Sequence, residues 1–89
     1  MGVPPLAGIL VVDVSRMLPG AVLARTLVDL GARVIKVEEP KAGDPMRRVP
    51  PLIGGVGAGF CTFYRGTESL GLDLREQHGV ANLLTLARE

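Results

Sequence analysis

Several residue types are scarce in this chain, and each scarcity excludes something. A lone cysteine, Cys61, rules out an internal disulfide and fits a reducing compartment. A lone histidine, His78, leaves too few donors for the usual zinc ligand sets, so no metal is expected. Phe60, Phe63 and Tyr64 are the whole aromatic complement, too few for a base-stacking platform. The net charge of +1 gives no pull toward nucleic acid or an anionic membrane. The longest apolar run, Leu6 to Val12, falls short of the ~20 residues a membrane span needs. Met1 to Pro5 lacks a basic start, so a signal peptide is not expected and the cytoplasm is.

What is plentiful is apolar. Hydrophobic residues make up 47% of the 89, and the mean hydropathy is positive. A chain this short buries only ~60–65% of the surface its unfolded form exposes. An apolar excess on that scale implies surface that further chain or a partner subunit covers.

The stretch from Gly8 to Glu39 organises the rest as one βαβ unit. Ile9 to Val14 is β-branched and nearly continuous, the pattern of a strand buried on both faces of a parallel sheet. Asp13 breaks that run near the carboxyl end, where open α/β sheets bind ligands. It reads as an acceptor for loop amides, ahead of a catalytic role. Pro19 suits a first helical turn, and Gly20 permits close approach. Leu23, Leu27 and Leu30 then follow helical spacing, Arg25 and Asp29 share a polar stripe, and Gly31 is a natural C-terminal cap. The free N–H groups near Leu18 to Ala21 suit an anionic or carbonyl group, unless Ser15 and water satisfy them. Arg33 to Val37 is the second strand, parallel to the first through a right-handed crossover.

Glu38 stands where a dinucleotide site places its ribose-binding acid, but the loop from Asp13 to Gly20 has one glycine instead of G-x-G-x-x-G. Nicotinamide cofactors are therefore disfavoured. Pro40 to Gly59 shows no sustained period and reads as a long functional or mobile loop. No Lys-Ser/Thr follows Gly54 to Gly59, so this is not a P-loop. Arg47 and Arg48 form a basic spot, either a solvated surface or a phosphate contact. Phe60 to Tyr64 reads as a semi-buried aromatic segment with Cys61 as a core filler. Ser69 to Leu74 alternates as a third strand, with Leu70, Leu72 and Leu74 on one face. Glu76 to Glu89 is helical by pattern, with Val80, Leu83, Leu84 and Ala87 on its apolar face, His78 exposed, and Gly79 weakening its start. The expected fold is α/β, a partial Rossmann-like parallel sheet in the order β-α-β-loop-β-α. Two helices cannot cover both faces of that sheet.

Four ordered motifs carry a resemblance over nearly the whole chain. They are P-L-A-G-I-x-V-V-D-V-S-R at Pro5 to Arg16, L-x-D-L-G-A-x-V-I-K-V-E at Leu27 to Glu38, G-D-P-x-R at Gly43 to Arg47, and S-L-x-L-D-L-R at Ser69 to Arg75. The sequence resembles the amino-terminal segment of class III coenzyme A transferases, the group of formyl-CoA transferase, carnitine-CoA transferases and α-methylacyl-CoA racemases. The resemblance implies that residues 1–89 are the first part of a larger Rossmann-like domain in an interlocked homodimer. It implies coenzyme A as ligand and transfer of CoA between an acyl-CoA and a carboxylic acid through an aspartyl intermediate. None of Asp13, Asp29, Asp44 or Asp73 aligns with the family's nucleophile, so no catalytic residue is expected here. Racemase or dehydratase-like chemistry, or a non-catalytic chain pairing with a full-length subunit, are the alternatives.

By position, the resemblance assigns coenzyme A contacts to Met17, Leu18, Pro19, Leu72 and Arg75, with Arg75 standing where the family has lysine. Two departures work against binding. Glu39 replaces a common phosphate-binding arginine, and Gly66-Thr67-Glu68 replaces an N-K-R-like triplet. Each lost charge-assisted contact removes roughly 1.5–3 kcal/mol. Arg47, Arg48 and Arg65 are the candidate substitutes.

Overall fold

A computed structural model describes residues 2–89. Along the chain run β1 (Leu10–Asp13), α1 (Met17–Asp29), β2 (Arg33–Glu38), a 3₁₀ turn (Pro45–Arg48), a hairpin of β3 (Leu52–Ile53) and β4 (Val56–Gly57), α2 (Ala58–Phe63), β5 (Glu68–Gly71) and α3 (Gln77–Ala87). The expected α/β architecture holds: β1, β2 and β5 form a parallel sheet in the order β1-β2-β5. Val12 pairs with Ile35, and Ile35 with Glu68, so the register runs straight across.

β2 is the central strand of the three, and this corrects the reading of β1. Val34 to Glu38 are all buried, whereas every residue of β1 is only half-buried. Both strands are β-branched, but only the one flanked on two sides is enclosed. On one face of β2 lie Val34, Lys36 and Glu38, and on the other Ile35 and Val37, by the pleat. The Val34 face packs on Ala21, Ala24, Ala32, Met46 and Tyr64, with Leu27, Val28, Phe60 and Phe63 around them.

Helix α1 sits on the sheet through small residues and Leu27, while Leu23 and Leu30 of the leucine stripe stay exposed. Gly20, Ala21 and Ala24 are buried, while Leu23 is 59% exposed. A Cβ on Gly20 would fall 1.7 Å from the Ser15 hydroxyl, so the close approach is made by the chain's own loop. At the other end Gly31 takes φ +99° and the Arg25–Asp29 pair closes at 3.2 Å, as the pattern predicts.

The stretch from Pro40 to Gly59 is more structured than its composition implies. Asp44 caps the 3₁₀ turn by accepting from the Met46 N–H at 2.8 Å. Gly57 lies so close to that turn that a Cβ would meet the Met46 carbonyl at 2.3 Å. Two-residue strands and a single turn are too short to show a period. The aromatic segment is helical, which sends Phe60 and Tyr64 inward and leaves Cys61 exposed. That overturns its reading as a core filler.

The third strand is shorter than its leucine alternation predicts. β5 ends at Gly71; Leu72 makes one more ladder bond to the Glu38 carbonyl, and the Asp73 carboxylate then accepts from the Arg75 N–H at 3.0 Å and turns the chain. Leu70 and Leu74 are exposed. In α3 the buried residue is Gly79, whose Cβ position lies 2.0 Å from the Asp73 carbonyl, while Val80 and Leu84 of the expected apolar face remain exposed. Among the described residues no helix is long and apolar enough to cross a membrane.

Candidate functional site

Because β1, β2 and β5 are parallel, the loops leaving their carboxyl ends gather on one side of the sheet. A cleft of about 310 Å³ lies there, lined by Val14 to Arg16 after β1, Lys36 to Glu39 at the end of β2, Gly43 and Asp44, and Leu72 to Arg75 after β5. This is the end at which open α/β sheets bind ligands.

The cleft is floored by ion pairs. Lys36 Nζ lies 2.8 Å from Asp44 Oδ2, with both side chains 1% exposed. Nζ also donates to the Ser15 carbonyl at 3.0 Å and lies 4.5 Å from the centre of the Tyr64 ring. Burial opposes the charge on Lys36, but Asp44 and Tyr64 together outweigh it and hold the pKa above the ordinary lysine value. Burial likewise opposes the Asp44 carboxylate, and Lys36 with the Met46 and Met17 amides keeps its pKa low. Glu38 is also buried. It accepts two bonds from Arg47, one from the Asp44 N–H at 2.9 Å and one from the Ser69 hydroxyl. Burial works against this carboxylate too, but Arg47, Ser69 and the Asp44 amide prevail and lower its pKa to about 2.

At the rim, Arg75 pairs with Asp73 at 3.0 Å in an exposed contact. The Glu39 carboxylate accepts from the Lys41 and Ala42 amides, and those bonds hold its pKa low. Once the pairs are set aside, two charges on the lining have no ion-pair partner among the described residues, Arg16 and Glu39.

The sequence-predicted contacts divide between two places. Leu72 and Arg75 line the cleft. Met17, Leu18 and Pro19 form the first turn of α1, exposed and just beyond the lining residues Ser15 and Arg16. The Met17 N–H points to the Asp44 carboxylate, 3.2 Å from Oδ2, so a carboxylate of the chain itself meets this helix end and complements its dipole. Asp13 behaves as a loop acceptor, bonded to the Ser15 N–H at 2.7 Å. Of the candidate substitute cations, Arg47 is committed to Glu38, and Arg48 donates to the Ala42 carbonyl. Arg65 lies in a separate shallow cleft with Arg25, Cys61 and Phe63.

Sequence reasoning missed Lys36 and Asp44, the two most buried charges. A signal was present, since a lysine inside a run of buried β-branched residues requires a partner. Asp44 immediately before Pro45 has the form of a turn cap.

Comparison with known proteins decides the family. The profile described as CoA-transferase family III matches residues 6–89. The chain belongs to CoA-transferase family III. A succinyl-CoA–L-malate CoA-transferase alpha subunit of Chloroflexus aurantiacus is 42% identical over 92% of this chain and 20% of its own length. A human alpha-methylacyl-CoA racemase is 35% identical over 93% of the chain and 18% of its own. A solved hypothetical protein of Mycobacterium tuberculosis superposes with a TM-score of 0.84 at 35% identity, over 96% of this chain and 23% of that one. The chain thus spans about a fifth of the length of these relatives. Glu68 pairs with Arg33 at 2.8 Å across β5 and β2. Glu39 lines the cleft.

Proposed function

We propose that this chain forms the coenzyme-A-binding, amino-terminal part of a CoA transferase, which moves CoA between an acyl-CoA and a carboxylic acid within a homodimer. The observation that carries this reading is the meeting of Arg16, Leu72 and Arg75 on one cleft at the carboxyl ends of three parallel strands. The arginines suit the phosphates of coenzyme A, and the apolar wall of Val14, Leu72 and Leu74 suits its less polar portions. The transfer step needs a carboxylate that attacks the thioester carbonyl and releases the CoA thiolate. The aspartates of this chain are otherwise engaged: Asp13 with Ser15, Asp29 with Arg25, Asp44 with Lys36 and Asp73 with Arg75. The attacking aspartate of this reading lies outside residues 1–89.

Calorimetric titration of coenzyme A into the chain tests the site. Binding that weakens when Arg16 or Arg75 is changed to alanine supports it, and no binding up to millimolar ligand sinks it. Residues 1–89 alone are expected to show no acyl transfer, and measurable turnover by them would overturn the placement of the nucleophile. A racemase would use the same cleft, and exchange of the acyl α-hydrogen without CoA transfer by a longer form of the protein would select that reading. Exposed Leu23, Val80 and Leu84 favour association with further polypeptide, whether or not the chain is catalytic.

A further inference from the structure

Arg16 occupies an unusual stretch of backbone. The residue before it, Ser15, offers its carbonyl to Lys36 Nζ at 3.0 Å. The residue after it, Met17, takes φ +62°, a left-handed conformation that a non-glycine side chain disfavours. The Met17 N–H is held by the Asp44 carboxylate, 3.2 Å from Oδ2. Lys36 and Asp44 are themselves joined at 2.8 Å in the protein interior. One buried ion pair therefore grips both sides of Arg16, the ammonium on its amino side and the carboxylate on its carboxyl side.

We propose that the Lys36–Asp44 pair is a clamp that fixes the Ser15–Met17 backbone and thereby presents Arg16 to an anionic, phosphate-bearing ligand in the cleft. The inference rests on the coenzyme A reading of that cleft. Lys36 and Asp44 act through Arg16 and are positioning residues. The arrangement supplies what a strained backbone needs, because such a conformation persists only where its surroundings over-determine it. It also gives the two charges buried beneath the cleft a positional role, where burial of a pair is by itself weak evidence for stability.

The test is a double-mutant cycle read by coenzyme A titration. Asp44→Asn should weaken binding about tenfold when Arg16 is present and less than about twofold in an Arg16→Ala background, because residues acting through one another are not additive. An equal loss in both backgrounds would refute action through Arg16. Should Asp44→Asn fail to fold, Lys36→Met combined with Asp44→Ala takes its place, since it leaves no unpaired buried charge. Hydrogen exchange of the Met17 amide is read in the same variants without ligand. In the combined variant it should be faster by about tenfold or more, through loss of its acceptor. Unchanged exchange would overturn the clamp itself. Failure of the wild-type chain to bind coenzyme A would instead remove the functional reading, leaving the exchange result to judge the clamp.

Discussion

Arg47 Nε and Nη2 each lie 2.7 Å from a different oxygen of the Glu38 carboxylate, forming a two-point contact between the end of β2 and the 3₁₀ turn. The guanidinium also stacks over Phe60, 4.1 Å from the ring centre. With Ser69 of β5 bonded to the same carboxylate, Glu38 ties three segments at the base of the cleft. Its buried position and full set of donors make it a structural anchor and remove it as a ribose ligand.

Breaking that anchor should be costly. Arg47→Met leaves Glu38 buried without its cation, and removal of one partner of such a pair costs ~3–5 kcal/mol. Arg47→Lys should recover part of the loss, because lysine cannot reproduce the fork. Urea unfolding of both variants checks this, and equal stability of all three proteins would contradict it.

The same carboxylate gives a pH dependence with a defined sign. Its folded pKa of about 2 lies below the ordinary 4.5, so the unfolded chain takes up the proton first as acid is added. The Glu38 contribution is full above about pH 4.5 and is lost as pH falls toward about 2. Glu38→Gln should flatten the stability profile across that window. A residual slope should remain from Asp44, whose pKa is also lowered. An unaltered slope in Glu38→Gln would show that Glu38 is not the group responsible.

Helix α3 sets intrinsic propensity against packing. Propensity alone favours Gly79→Ala by up to ~1 kcal/mol. The alanine Cβ would lie 2.0 Å from the Asp73 carbonyl, a backbone atom that cannot swing aside. Overpacking of this kind costs typically ~1–3 kcal/mol, so the variant should be less stable. Thermal melting followed by circular dichroism decides between the two signs.

These residues also mark how far the sequence was readable. The βαβ unit and its parallel sheet follow from β-branched runs, helical spacing and Gly31, all local signals. Leu27 packs on the core as its spacing implies, but Leu23 does not, because helix α1 approaches the sheet closely, which selects Gly20, Ala21 and Ala24 for the contact and turns Leu23 outward. The hairpin after Pro50 and the Gly79–Asp73 approach depend on contacts between segments, which no periodicity encodes. In the cleft, Leu72 and Arg75 were reached through motif resemblance. Lys36 and Asp44 were overlooked because they matter through their partners, Ser15 and Met17, and not through their spacing.

Cys61 offers a rapid check of the helical aromatic segment. Helix α2 turns Phe60 and Tyr64 toward the core and leaves the thiol exposed. A disulfide reagent should label the folded chain at nearly the rate seen in denaturant. Labelling that required unfolding would mean that the segment is not helical, or that the cysteine side is covered in solution.

Glu39 provides the sharpest test of the cleft as an anion site. Its carboxylate lines the same space as Arg16 and Arg75, with no cation paired to it among the described residues. It also closes a turn through the Lys41 and Ala42 amides, so its removal loosens that turn while relieving repulsion of a phosphate. Glu39→Gln should therefore tighten coenzyme A binding modestly. Glu39→Arg, which supplies a charge-assisted donor, should tighten it by about tenfold at low salt. Because the site is at the surface, the gain should shrink as ionic strength rises past ~0.15 M. Titrations at two salt concentrations check both points. An affinity that is unchanged or weaker in Glu39→Arg at low salt would mean that the ligand phosphates do not approach the end of β2.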